Sequence, residues 1–289
     1  MTQPWLEKIL ALRVHQPDAV AAAAGRRHRI DIASRGRLLI VAADHAARGA
    51  LGSGRDPMAM GSRVDLIERL RAALANPGVH GVLGTADVLE DLLLLGALEG
   101  KLVFGSMNRG GLAGSTFEMD DRFTGFDAAA IEDRDFDGGK MLLRIDPEDP
   151  ATARTLEGCA RAVDQLAARK LVALIEPFWS GRILGRVRND LSPDAMIRAI
   201  AVASGLGSTS AYTWLKVPVV DEMERVMEAS TLPALLLGGE AEDDQDAVFE
   251  RWRKALALPT VRGLVVGRNL LYPPDGDVVG AVESVVGLL

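Results

Sequence analysis

YTWLKVPVV, residues 212–220, sets a single lysine in the middle of an apolar run. Lysine is rarely buried without a partner, so Lys216 needs a reason to be there. The run is too short for a buried helix, and helical patterns flank it: SPDAMIRAIAVAS before and DEMERVMEA after. A short, continuously apolar segment between two helices reads as a parallel strand covered on its outer face.

The same unit recurs along the chain. Arg37–Asp44, Gly81–Ala86, Lys101–Ser106, Gly139–Asp146, Leu171–Phe178, Pro233–Gly239 and Arg262–Arg268 are further apolar runs, which makes eight in all. Between them lie amphipathic stretches at residues 63–76, 151–170, 242–258 and 277–289, besides the two already quoted. The stretch at 151–170 follows Pro147 and Pro150. Ser192 and Pro193 form an N-cap and first-turn pair. Eight strand–helix units in about 250 residues predict an α/β fold, a (β/α)8 TIM barrel over residues 37–289. Residues 1–36 read as a short N-terminal helical extension. A doubly wound open sheet is the other candidate, but no GxGxxG opens a helix after the first strand.

Composition narrows the function. The net charge of −7 and the lack of a basic run argue against nucleic acid. No apolar run approaches the ~20 residues of a membrane span, and the N-terminus does not read as a signal peptide. The single cysteine, Cys159, excludes an internal disulfide and suits a reducing compartment, so a cytoplasmic location is expected. Of 33 basic residues only six are lysines. Arginine stays protonated in proteins, whereas a desolvated lysine can shed its proton and become a nucleophile.

In such a barrel, chemistry gathers where the strands end. Asp44 ends the first strand, Lys140 lies on the fourth, and Glu176 and Lys216 stand near the ends of the fifth and sixth. Gly238 and Gly239 close the seventh; Gly267 and Arg268 close the eighth. An unprotonated lysine amine attacks a carbonyl, and burial beside a second cation lowers its pKa from ~10.4. Lys140 is that second cation for Lys216, and Glu176 or Asp44 can shuttle protons. Glycine turns on the last two loops, with Arg268, suit a phosphate. The expected partner is therefore a small phosphorylated carbonyl compound, and imine chemistry needs no cofactor.

AADHAARG, GGKMLLRID, LVALIEPF, WLKVPV, LLLGGE and VVGRNLLYP resemble the class I (Schiff-base) aldolases, from Arg37 to the C-terminus. That group includes archaeal-type fructose-bisphosphate, tagatose 1,6-bisphosphate and deoxyribose-phosphate aldolases. The resemblance implies an Asp on strand one, a Lys on strand four, a Glu on strand five and the imine-forming Lys on strand six. Asp44, Lys140, Glu176 and Lys216 match, 96, 36 and 40 residues apart. The archaeal-type proton-donating Tyr after strand five is replaced by Phe178 and Trp179, which leaves acid–base work to Glu176. Actinobacterial homologues associated with inositol breakdown look similar as well. That likeness implies cleavage of 2-deoxy-5-keto-gluconate 6-phosphate to dihydroxyacetone phosphate and malonate semialdehyde, with Arg48, Arg109 or Arg182 on its carboxylate.

Alternatives are a Schiff-base transaldolase, a thiolase-like acyl transferase, and a non-catalytic sugar-phosphate sensor. A zinc-dependent aldolase needs several histidines at strand ends. Only His45 is so placed, and it reads as a substrate-side hydrogen-bonding group, so no metal is expected. The N-terminal segment and apolar C-terminal helix make a homo-oligomer the expected state.

Overall fold

A computed structural model describes residues 3–34, 36–239 and 245–289, with side chains at 245 and 246 left undescribed. All eight expected strands are present: β1 (Leu38–Ala42), β2 (Gly81–Gly84), β3 (Leu102–Ser106), β4 (Gly138–Ile145), β5 (Val172–Ile183), β7 (Thr213–Pro218), β8 (Ala234–Leu237) and β9 (Val261–Val266). Each pairs in parallel with its neighbours, and the β1–β9 and β4–β5 pairings close the cylinder. The fold is a (β/α)8 TIM barrel.

Helices α3 (Arg63–Ala75), α4 (Ala86–Leu94), α5 (Ala128–Asp133), α6 (Ala151–Ala167), α7 (Pro193–Ser204), α8 (Met223–Met227), α9 (Gln245–Leu256), α10 (Arg268–Leu271) and α11 (Val278–Val286) follow the strands. Ser192 caps α7 as expected, accepting from the Ala195 N–H at 3.4 Å, and Ser62 caps α3 in the same way. The helix expected over 242–258 has its first three residues outside the described residues. No described helix is long and apolar enough to cross a membrane.

Strand residues divide by parity into two cores. Leu39, Val41, Ala173, Ile175, Leu215 and Val217 face the helices. Leu38, Ile40, Ala42, Leu83, Leu102, Phe104, Val172, Leu174, Leu235 and Val265 fill the barrel interior. Trp214 packs with the interior set, so Lys216, two residues on, shares its face. By the same count Glu176 stands above Leu174.

The N-terminal extension carries α1 (Pro4–His15) and α2 (Ala19–Ala24). Beyond α2, Ile30 and Ile32 pack against the interior core and form its floor. Arg27, fully buried at its side chain, donates to the Lys101 carbonyl at 2.6 Å and to the Asp135 carbonyl.

One strand was not foreseen. β5 runs past the barrel rim and turns back as β6 (Arg186–Asp190), an antiparallel hairpin. The turn is two residues, Leu184 at φ 51° and Gly185 at φ 76°. Both are left-handed, as the tight primed turns demand, but a leucine in the first place carries no hairpin signature.

Candidate active site

Strand register sets the site in two tiers. Ser106 is level with Lys140, and Lys140 with Leu174. Glu176 pairs with Leu142, one layer higher, and the Ile175–Leu215 pairing brings Lys216 level with Glu176. Lys140, the third residue of β4, is thus one layer deeper than Lys216. Above them opens a cavity of about 690 Å³ lined by Lys216, Glu176, His45, Arg48, Arg109, Gly238, Gly239, Gly267 and Arg268 among others. Asp44 and Lys140 lie beneath its surface, 0% and 1% exposed.

Glu176 ties the tiers together. Its Oε1 accepts from Lys216 Nζ at 2.7 Å, and its Oε2 pairs with Lys140 Nζ. Lys140 Nζ also lies 3.4 Å from Asp44 Oδ2. That same oxygen accepts from Ser106 Oγ at 2.9 Å and pairs with the Arg109 guanidinium, while Arg109 Nε donates to Ser106 Oγ at 3.1 Å. Asp44 Oδ1 is buried with no protein partner among the described residues.

These surroundings shift the ionisations. Burial, reinforced by Arg109 and Lys216 against the pull of Glu176, holds Lys140 well below the ordinary lysine range. Burial also lowers Lys216; Glu176 opposes it, and Arg109 and Arg268 add to it. For Glu176, burial pushes upward, but Lys140, Lys216 and Arg109 outweigh it and keep the carboxylate ionised. His45 is pushed down to about 3 by burial, then by Arg268 and Lys216, so its imidazole is neutral. Its Nδ1 is buried without a protein partner among the described residues. The Cys159 thiol, on α6, is buried and pushed up by that burial, which suits a packed side chain.

At the far rim, Asn269 Nδ2 donates to the Gly238 carbonyl at 2.8 Å and locks the last two loops together. Gly239 has φ +68° and needs to be glycine. At Gly267 a Cβ would lie 2.7 Å from the Ala42 carbonyl oxygen and 2.8 Å from His45 Cε1. Arg268 reaches across to the Gly52 carbonyl at 3.4 Å.

The three arginines expected to meet a carboxylate are placed differently from one another. Arg48 lines the cavity and pairs with Glu118 at 3.1 Å. Arg109 lines it too, but is committed to Asp44 and Ser106. Arg182 stands on the β5 extension outside the cavity, donating to the Thr116 carbonyl at 2.9 Å and lying 3.5 Å from Asp149.

Several residues in or beside the cavity were not picked out from the sequence. Arg144 follows Lys140 and Leu142 on the inner face of β4 and binds Asp121 at 2.7 Å. Asn108 clamps the Leu142 backbone on both sides, accepting from its N–H at 2.7 Å and donating to its carbonyl at 2.6 Å. The hairpin contributes Arg188, and α9 contributes Arg251 and Trp252. Parity along β4 would have found Arg144; the others come from segments with no strand period. Among the described residues no group of three or more His, Cys, Asp and Glu is arranged to hold a metal.

A TIM barrel with two lysines sharing one carboxylate at its mouth has the fold of the class I aldolases. The Schiff-base-forming fructose-1,6-bisphosphate aldolase superposes with a TM-score of 0.65 at 16% identity, over 93% of this chain and 99% of its own. The fructose-bisphosphate aldolase of Slackia heliotrinireducens gives 0.70 at 15% identity, over 95% and 86%. The chain itself belongs to the Cgl0159-like family, which it matches over residues 36–286. Cgl0159 of Corynebacterium glutamicum is 51% identical over 100% of this chain and 97% of its own, with a TM-score of 0.96. No curated protein matches the chain.

Proposed function

We propose that this protein is a class I aldolase that forms an imine through Lys216 and cleaves a phosphorylated keto sugar or keto-sugar acid to a triose phosphate and an aldehyde. The observation that carries the reading is the shared carboxylate: Lys216 and Lys140 both contact Glu176, and Lys216 alone of the two lines the cavity. A carbonyl carbon entering the cavity meets the Lys216 amine first. Attack gives a carbinolamine, and Glu176, 2.7 Å from Nζ, is placed to hand on the proton that lets water leave. The resulting iminium draws electrons from the carbon–carbon bond β to it. A base takes the hydroxyl proton, the aldehyde departs, and the enamine left on Lys216 is reprotonated and hydrolysed.

Charge supports a phosphorylated substrate. Among the described residues lining the cavity, Arg48, Arg109, Arg144 and Lys216 are matched by Glu118, Asp44, Asp121 and Glu176, and Arg268 adds a positive charge with no ion-pair partner among the described residues. Arg188 has no ion-pair partner among the described residues and stands across the cavity mouth on the hairpin. An anionic ligand answers that imbalance.

Borohydride reduction in the presence of dihydroxyacetone phosphate, followed by peptide mass spectrometry, tests the reading. A reduced adduct on Lys216, abolished in Lys216→Met, is the expected result. An adduct on Lys140 would reverse the two lysines' roles, and no adduct with any phosphorylated ketose would remove the mechanism.

A further inference from the structure

The lysine pair sits in a cluster of five ionisable groups: Asp44, Arg109, Lys140, Glu176 and Lys216. Both carboxylates are buried, but they are not shared evenly. Asp44 Oδ2 is engaged by Arg109 directly and again through Ser106, whose hydroxyl donates to Asp44 at 2.9 Å and accepts from Arg109 Nε at 3.1 Å. Lys140 approaches the same oxygen only to 3.4 Å. Glu176 therefore remains as the near partner of both lysines.

We propose that Arg109 is a positioning residue: by satisfying Asp44 it leaves the two lysines one carboxylate to share, so that one of the two amines is uncharged at neutral pH. The inference deepens the imine reading above and rests on it for its consequence, though not for its test. The electrostatic count is direct. With every group ionised the cluster carries three positive and two negative charges in a buried setting. An arginine keeps its proton, and even here burial brings Arg109 down only to about 10. The excess charge is relieved by the loss of a lysine proton. Without the guanidinium, two ammonium groups would face two carboxylates, and both lysines would stay charged and unreactive.

The neighbouring groups do not supply this charge equally well. His45, beyond β1, is neutral. Arg144, on β4, is cancelled by Asp121 at 2.7 Å. Arg48 is matched by Glu118. Arg268, beyond β9, does face Lys216, but it lines the proposed phosphate end, where a bound phosphate would neutralise it. Arg109 is held by protein groups alone, so its charge persists when substrate is bound.

The test needs no turnover. Competitive labelling of Lys216 by acetic anhydride across pH 6 to 11, read by mass spectrometry, gives the midpoint at which its amine becomes free. In Arg109→Met the midpoint should rise by about one to two pH units, so labelling at fixed neutral pH falls roughly ten- to a hundred-fold. Arg109→Lys, which keeps the charge, should stay near the wild type. In Arg109→Met combined with Asp44→Asn the positive excess is restored, and the midpoint should return toward the wild type, a recovery that structural damage would not produce. If Arg109→Met does not fold, the double variant against Asp44→Asn alone decides, since the arginine's loss should again raise the midpoint. A midpoint indifferent to Arg109 in either background overturns the proposal. Borohydride trapping with dihydroxyacetone phosphate separates the two readings: low-pH labelling of Lys216 without any trapped adduct defeats the aldolase reading alone.

Discussion

Replacing Glu176 by glutamine removes the carboxylate in contact with both lysines while keeping the side chain's shape. Breaking a buried pair by deleting one partner costs about 3–5 kcal/mol when the other charge stays put. Here there is an escape, because the stranded lysine can drop its proton. At pH 7 that costs about 4.6 kcal/mol, the free energy of deprotonating a group of pKa ~10.4, which caps the loss of stability. The pH dependence follows from the same bookkeeping. Both lysines have depressed pKa values in the folded chain. Between the folded pKa and ~10.4 the unfolded chain binds protons that the folded chain has shed, so stability rises with pH. The variant sheds one proton more than the wild type. Its deficit should therefore shrink by about 1.4 kcal/mol per pH unit, to about 2 kcal/mol at pH 9. Equilibrium urea unfolding followed by circular dichroism at pH 7, 8 and 9 measures this directly. A deficit that stays constant across that range, or one below about 1 kcal/mol at pH 7, would refute the idea that Glu176 holds the pair's charge.

Other outcomes can be stated more briefly. Cleavage activity should survive dialysis against EDTA unchanged; activity lost to the chelator and restored by zinc would overturn the imine mechanism. Gly267→Ala drives a methyl to within 2.7 Å of the Ala42 carbonyl oxygen and 2.8 Å of His45, so kcat/KM should fall by about tenfold or more as His45 and its loop shift. Arg188→Met should raise KM for a phosphorylated substrate by about tenfold with kcat retained, the loss of one charge-assisted hydrogen bond. Gly263→Ala, at φ +137° with Leu38 O only 2.0 Å from the added carbon, should destabilise the β1–β9 seam by about 3 kcal/mol or more in thermal or urea unfolding.

The eight apolar runs announced the barrel because strands buried on both faces have no polar period to confuse, and the polar residues set in them pointed to Asp44, Lys140, Glu176 and Lys216. The depth of Lys140 was not legible. It depends on the stagger between β3, β4 and β5, a property of neighbouring strands rather than of one segment. Arg109 read as a free substrate-binding cation, because no local pattern reveals that Ser106 and Asp44 claim it. α4 hid within TADVLEDLLLLG, where consecutive leucines erase the helical spacing. The hairpin hid as well, since Leu184-Gly185 lacks the Asn-Gly or Asp-Gly turn chemistry that announces such an element. Trp252 and Arg251 reach the cavity from α9, whose pattern shows only that it is amphipathic.

The N-terminal extension has a consequence in the order of synthesis. Its polar ties run from Trp5 to Glu68, from Arg13 to Glu90 and Asp91, from His28 to Glu99, from Arg27 to Lys101 and Asp135, and from Arg29 to Asp137. All of those partners precede the first residue of β5 in the chain. The strap can thus fasten β2 and β3 and their helices while the barrel is still an open half, holding a curved four-stranded sheet ready for the strands that bring Glu176 and Lys216.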